Sequence, residues 1–421
     1  MTRREDLFNK IDWTTVLIYL VLVLMGWLNI YAAVYDESAT GVFNLSNNAG
    51  KQFLWILTSL VLIVVIMSLD YKTFDSLSYV IYGVVMLLLI LVVIFGREVS
   101  GAKSWFQLGG LRIQPSEFAK FATALALAKF LGQPTVKFSQ TKNQIISGLL
   151  IGLPVVLILL QPDTGTAMVF GAFVIVLYRE GLSPNIIIIG LIAIALFILT
   201  LLVQQIYLII GIVITSLIVI GLGKKATKQI VYTVIGTLFI IGVVRSVDYF
   251  ITDVLKPHQQ NRIKALINPS ADPLGYGFHV TQSKIAIGSG GLVGKGFLNG
   301  TQTKFDFVPE QSTDFIFCTL GEEHGWIGSL LMIILFIALL MRIVYISERQ
   351  KWRFIRIYGY SVASILFLHF LINIGMTIGL FPVIGIPLPF FSYGGSSLWS
   401  FTILLFILLK FDSHRNQLLF R

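Results

Sequence analysis

Runs of about 20 apolar residues recur almost from one end of this sequence to the other, and that is the length an α-helix needs to cross the hydrocarbon core of a bilayer. They fall near residues 13–34, 52–69, 78–95, 115–132, 144–161, 164–178, 184–203, 206–222, 229–247, 315–345, 357–380 and 397–410. Lipid offers no partner to a bare backbone N–H or C=O, so runs of this kind fold as helices that satisfy themselves. The composition agrees. Of 421 residues, 56% are hydrophobic and 12% charged, with a mean hydropathy of +0.84. A soluble globule of this size would need far more polar surface. The expected fold class is an all-α polytopic membrane protein with about twelve transmembrane helices, one integral membrane domain over 1–421 with a large extracytoplasmic loop at 248–313.

Lys and Arg set the orientation. Twelve spans with the N-terminus inside put the clusters GLGKKATKQ and RIVYISERQKWRFIR on the cytoplasmic side, together with both termini. The start, MTRREDLFNKIDW, precedes an apolar run longer than the h-region of a removable signal peptide. It is therefore read as a retained first span, with cleavage after Ala32 and Ala33 as the alternative. The net charge of +10 is mainly a topology signal; no basic soluble domain is present to hold nucleic acid, so no nucleic-acid partner is expected. The single cysteine, Cys318, excludes an internal disulfide and a Cys-cluster metal site.

Two outward segments break the charge rule. The loop from 248 to 313 carries Lys256, Arg262, Lys264, Lys284, Lys295 and Lys304, but long loops cross regardless of charge. The short loop GREVSGAKSWFQLGGLRIQPSEFAK (96–120), with Arg97, Lys103, Arg112 and Lys120, is more informative. In QPSEFAK, Glu117 and Lys120 lie three apart at the start of a membrane helix and share a face. Ionisable groups at that depth cost several kcal/mol unless paired or lining a wet cavity. A structural ion pair and a polar pocket both fit. QPDTGTA (161–167) adds Asp163, which suits a helix cap as well as a site.

The glycine-rich stretch IAIGSGGLVGKGFLNGTQTKFDF (285–307) fails the Walker pattern, because Gly294-Lys295 is followed by Gly296 and the position five before Gly294 is Ser289. Its glycines permit tight turns with exposed N–H groups suited to an anion, with charge from Lys284 and Lys295; a plain flexible loop is the alternative. His279 has no second His or paired acid at ligand spacing, so no structural metal is expected. Further on, VPEQSTDFIF (308–317) places Glu310 and Asp314 where the next apolar run begins. There Asp314 would lie near the positive end of the helix dipole, as an ionised base or as a capping residue.

Four stretches then carry a resemblance over nearly the whole chain: NRIKALINPSADPLGYGFHVTQSKIAIGSGGLVGKGFLNGTQTKFDFVPEQSTDFIFCTLGEEHG, W-x-x-x-G-x-x-x-I-Q-P-S-E-F-A-K, QPDTGTA and NIGMTIGLFPVIGIPLPFFSYGGSS. Together they resemble the SEDS (shape, elongation, division and sporulation) family, and GKGFLNGTQT looks like its RodA branch rather than its FtsW branch. The resemblance implies a peptidoglycan glycosyltransferase of the cytoplasmic membrane that polymerises lipid II on the outer face during elongation, with a class B penicillin-binding protein as transpeptidase partner. It implies that Asp314 is the essential aspartate, and an inverting transfer from an undecaprenyl-pyrophosphate donor suits one such acid better than a retaining pair does. The pyrophosphate would be held by cations, for which Arg112, Lys120, Arg262 and Lys295 are the candidates, and a divalent ion, Mg or Mn, would neutralise charge. No organic cofactor is implied. Glu117 and Asp163 match positions in the family's central polar cavity, and Trp105 matches a family tryptophan that either stacks on a sugar or anchors the interface. The family usually has ten spans, so two of the three runs in 184–247 are expected as an extra hairpin, over about 184–228. A lipid II flippase, which would also need a charged cavity, and a structural scaffold are the alternatives from other classes.

Overall fold

The computed structural model describes residues 10–35, 43, 45, 47–99, 101–109, 111–223, 227–249, 260, 276–304 and 307–415. The chain divides into two units, Met1–Leu182 with His279–Arg421, and Ser183–Phe278.

Each expected apolar run is helical. The helices are α1 (Trp13–Ala33), α2 (Asn48–Ser68), α3 (Tyr71–Ser76), α4 (Ser78–Phe95), α5 (Pro115–Leu131), α6 (Thr141–Leu159), α7 (Thr164–Val169) and α8 (Ala172–Arg179). They continue with α9 (Pro184–Leu202), α10 (Gln205–Leu222), α11 (Thr227–Tyr249), α12 (Tyr276–Ser289), α13 (Thr301–Lys304), α14 (Ile316–Glu348), α15 (Arg353–Thr377) and α16 (Gly395–Ser413). Local chemistry sets several starts: Asp12 caps α1 by accepting from Thr15 N at 3.1 Å, and proline opens α5 and α9, where its missing N–H costs nothing.

Among the described residues nine helices are long and apolar enough to cross a membrane: α1, α2, α4, α6, α10, α11, α14, α15 and α16. The three other expected runs, 115–132, 164–178 and 184–203, are also helical. α5 is only 17 residues long and has charges built into it. The 164–178 run breaks at Phe170–Gly171 into α7 and α8, and the 184–203 run forms α9. A second departure lies at 97–113, expected as loop. It folds into an antiparallel sheet of β1 (Arg97–Val99), β2 (Ala102–Leu108) and β3 (Leu111–Ile113), in the order β1-β2-β3, with Arg97 opposite Trp105 and Gln107 opposite Arg112. Lys103 N donates to Gln161 O at 3.1 Å, which pins β2 beside the turn that carries Asp163.

In the larger unit α5 is the axial element, packed against α4, α6, α15 and α16. Its alanines explain the placement: Ala119, Ala122, Ala124, Ala126 and Ala128 are all fully buried, and small side chains let neighbouring backbones come close where no hydrophobic effect separates protein from lipid. Between α15 and α16 the chain runs from 378 to 394 without helix, yet Val383, Ile384, Ile386, Leu388, Phe390 and Phe391 are buried. Irregular backbone is tolerated at such a place only when protein surrounds it. In the smaller unit α10 and α11 pack side by side, joined by a hydrogen bond from Thr237 Oγ1 to Ser216 Oγ at 2.8 Å. α10 buries none of its residues, an outward apolar surface that lipid accommodates.

α14 is broken at Gly325 (φ 63°, ψ −157°), and the glycine-rich loop fills the break. Lys295 N and Gly296 N donate to the carbonyls of Glu322 and Glu323 at 3.0 Å, while Trp326 N and Ile327 N donate to Gly291 O and Leu292 O at 2.9 and 3.1 Å. The loop's backbone groups are thus engaged by protein. A Cβ at Gly325 would lie 2.3 Å from Gly294 N in a backbone conformation side chains rarely adopt. Gly325→Ala is expected to lose at least about 1–3 kcal/mol from backbone strain alone, seen as a lower unfolding temperature in detergent.

Near the other end of α14, Arg342 donates through Nε and Nη2 to the Asp12 carboxylate, with the Nε contacts at 3.1 and 3.0 Å, and Arg349 pairs with Asp412. Burial pushes the Asp12 carboxyl up, but hydrogen bonds from Arg342 and Thr15 outweigh it and hold the group below the ordinary carboxylate range. A carboxyl depressed by folding contributes stability above its unfolded pKa and loses it as pH falls through the folded one. Thermal stability in detergent should therefore begin to fall below about pH 4, the unfolded Asp value, and Asp12→Asn should flatten that part of the curve.

Candidate functional site

Glu117 and Lys120 begin α5 on one face, as their spacing predicts, and pair with Lys120 Nζ 2.8 Å from Glu117 Oε2. They are 3% and 1% exposed, so neither charge meets solvent. The ammonium has two further neighbours: His369 Nε2 on α15 at 2.8 Å, and the Phe401 ring on α16, whose centroid is 4.5 Å away. Ser400 Oγ on α16 donates to Glu117 O at 2.6 Å. A buried charge of this kind is tolerable only with such complete pairing.

Asp163 is half-buried and caps α7. Its Oδ1 accepts from Thr166 N at 3.0 Å, and its Oδ2 accepts from Thr166 Oγ1 at 2.8 Å, Gln114 Nε2 at 2.9 Å and Ser116 Oγ at 3.4 Å. The cap alternative is realised, and Asp163 also lies within electrostatic reach of Lys120. Gln114 N in turn takes Ser396 Oγ as acceptor at 3.2 Å, and Ser396 Oγ donates to Arg112 O at 3.1 Å, so β3, α5 and the start of α16 are laced together.

Asp314 is half-buried and precedes α14 without capping it; the N-cap position is Phe315, with no side-chain cap. Its surroundings are fixed from several sides. Asn373 Nδ2 on α15 donates to Asp314 O at 2.9 Å, Ser392 Oγ donates to Thr313 O at 2.6 Å, and Tyr393 N donates to Ser312 O at 2.9 Å. A Cβ built on Gly385 would come within 3.2 Å of Asp314 Oδ2, so the carboxylate rests against the 384–388 segment. His279 packs edge-on against the neighbouring Phe315, with ring centroids 6.0 Å apart.

The structure therefore pairs Glu117 with Lys120, keeps half-buried Asp163 within electrostatic reach of them, and links them to Asp314 through α15, whose His369 and Asn373 meet Lys120 Nζ and Asp314 O. Arg112 is exposed on β3 and close enough to Tyr393 to act on it electrostatically; Trp105 is half-buried on β2. Lys295 stands elsewhere. Its Nζ is 2.7 Å from Glu322 Oε1, and that buried carboxylate also accepts from Thr301 N, Gln302 N and Thr303 N at 2.8, 2.8 and 3.0 Å, closing the start of α13. Arg262 lies outside the described residues. Sequence reasoning missed His369 and Asn373, although Asn373 sits inside the NIGMTIGLFPVIGIPLPFFSYGGSS stretch.

Among the described residues no group of three or more His, Cys, Asp or Glu side chains could hold a metal ion. These side chains do not form a protein-made cage for the expected Mg or Mn.

A family profile described as "Cell cycle protein", for FtsW, RodA and SpoVE, matches residues 12–209 and 184–417. The chain belongs to the SEDS family. Among SEDS relatives, the peptidoglycan glycosyltransferase MrdB of Escherichia coli K12 is 34% identical over 99% of this chain and 97% of its own length. The peptidoglycan glycosyltransferase RodA of Treponema pallidum is 32% identical over 97% and 98%, and the stage V sporulation protein E of Bacillus subtilis 31% over 92% and 93%. A chain from a solved peptidoglycan synthase complex superposes with a TM-score of 0.72 at 29% identity, covering 97% of this chain and 99% of that one. The rod shape determining protein RodA of Thermus thermophilus shares the fold, with a TM-score of 0.62 at 24% identity over 96% and 97%.

Removing one partner of the buried pair leaves an uncompensated charge. Lys120→Met should cost about 3–5 kcal/mol, and Glu117→Gln combined with Lys120→Met should recover much of it; denaturation of the purified variants in one detergent measures both.

Proposed function

We propose that this protein is a peptidoglycan glycosyltransferase that polymerises lipid II into glycan strands at the outer face of the cytoplasmic membrane, with both termini cytoplasmic. The observation that carries this reading is the placing of Asp314. A half-buried carboxylate lies at the head of a membrane helix against a segment gripped by neighbouring helices, in a chain whose full-length relatives include glycosyltransferases of that name.

In the proposed reaction Asp314 takes the proton from the acceptor sugar hydroxyl as that oxygen attacks the anomeric carbon of the donor. The carbon–oxygen bond to undecaprenyl pyrophosphate breaks on the opposite side, so the configuration inverts. One carboxylate suffices, since no covalent glycosyl intermediate needs a second. Negative charge develops on the leaving pyrophosphate and calls for cations nearby. Arg112 is the exposed described candidate, with Arg262 the second; Lys120 is sealed in its pair, and Lys295 is bound to Glu322. A divalent ion would be shared with the phosphates, and Trp105 would stack on a sugar at the same rim. GKGFLNGTQT supports a RodA-like role in elongation over one in division or sporulation. A class B penicillin-binding protein is the expected partner, because polymerised glycan needs a transpeptidase to cross-link it.

Purified protein, with and without that partner, should convert labelled lipid II to glycan chains in the presence of Mg or Mn. Asp314→Asn should make none while keeping its elution profile and melting behaviour. Full polymerisation by Asp314→Asn would remove the base, and movement of lipid II across vesicles without polymerisation would favour a flippase.

A further inference from the structure

Two side chains that the sequence left unassigned stand between the buried pair and the acid. His369 and Asn373 are one turn apart on α15, 1% and 0% exposed. The Lys120 ammonium has only protons to give, so the His369 Nε2 it meets at 2.8 Å must be the acceptor. The ring is then neutral, its proton is on Nδ1, and Nδ1 donates to Pro387 O at 3.2 Å. Asn373 uses both amide protons in the same neighbourhood, on Ile386 O at 2.7 Å and Asp314 O at 2.9 Å. Consecutive carbonyls of a non-helical segment are thereby held from one helix face. Immediately before them comes Gly385 (φ +78°), the residue against which the Asp314 carboxylate rests.

We propose that His369 and Asn373 are positioning residues for Asp314: Lys120 fixes the His369 tautomer, and the two side chains together fix the 385–387 backbone behind the carboxylate. This rests on the reading of Asp314 as the base. The segment has no helix or sheet ladder of its own, so side-chain donors define its path. That backbone lies next to the acid, since the Cβ side of Gly385 faces Asp314 Oδ2, 3.2 Å from where a Cβ would stand. Glu117 and Lys120 thus influence the reaction while sealed from substrate, acting through the imidazole. A ground-state binding role would show in KM; misplacing a base by a fraction of an ångström shows in kcat.

His369→Gln and His369→Asn separate the two halves of the bridge. Glutamine places its amide near the Nε2 position, meeting Lys120 and losing the donor to Pro387; asparagine places its amide near Nδ1 and keeps that donor. His369→Gln should lower kcat roughly tenfold to a hundredfold per folded molecule, with KM changed less than about twofold, and His369→Asn should restore much of the lost rate. Amide exchange over residues 383–392 and 311–316 should quicken in His369→Gln and less so in His369→Asn. Gly385→Ala, which leaves both donors in place, should give the same selective loss of kcat and serves if His369→Gln does not fold. Equal kcat in both His369 variants with unchanged exchange, or a loss confined to KM, would overturn the proposal. Exchange does not depend on turnover: if the native protein makes no glycan, the proposed activity falls, and the exchange comparison alone decides whether His369 holds the segment.

Discussion

The ammonium of Lys120 is buried among three helices of the larger unit, and the contacts that neutralise it choose which of their faces meet. Desolvating such an ion costs several kcal/mol even after relaxation, and three helices supply the compensation. Glu117 pairs with it from its own helix, His369 Nε2 on α15 accepts a hydrogen bond from it, and the Phe401 ring lies against it from α16. Those contacts bring one face of each of the three helices together. The alanines of α5 allow the approach; the charge chooses which faces meet.

The same requirement separates two kinds of acid. Glu117 and Asp163 have their oxygens engaged by Lys120, Thr166, Gln114 and Ser116, so they shape the interior. Asp314, half-buried just before α14, is the acid that the proposed transfer uses as its base. The glycine-rich loop plays a third part. A membrane helix that breaks at Gly325 exposes backbone groups that lipid cannot satisfy, and residues 291–296 satisfy them. Its glycines serve close backbone approach to another part of the chain, and the buried Glu322 takes up the Lys295 charge that an anionic ligand would otherwise attract.

Much of this was legible in residue order. Apolar run length located the long membrane helices, because a bilayer imposes a length and forbids bare backbone. The i, i+3 spacing of Glu117 and Lys120 put them on one face where they could pair, and Asp163 was open to a capping role; the structure realises both. The sheet at 97–113 stayed hidden, since its strands are three to seven residues long and owe their pairing to one another and to Gln161. Run length alone did not show that α5 hides its charges inside protein or that the 164–178 run breaks.

What the sequence determined by itself is the class of solvent this chain lives in, the helices that follow from it, and the identity of an acid at a helix entrance. Those are local or periodic properties, readable from neighbours along the chain. Only the tertiary structure decided that Lys120 meets His369, 249 positions away, and that Asn373 holds Asp314 and Ile386 together. It also decided that Lys295 belongs to Glu322. These pairings depend on which helix faces turn toward each other, and that choice is made by burying charge and closing unsatisfied backbone across the whole bundle.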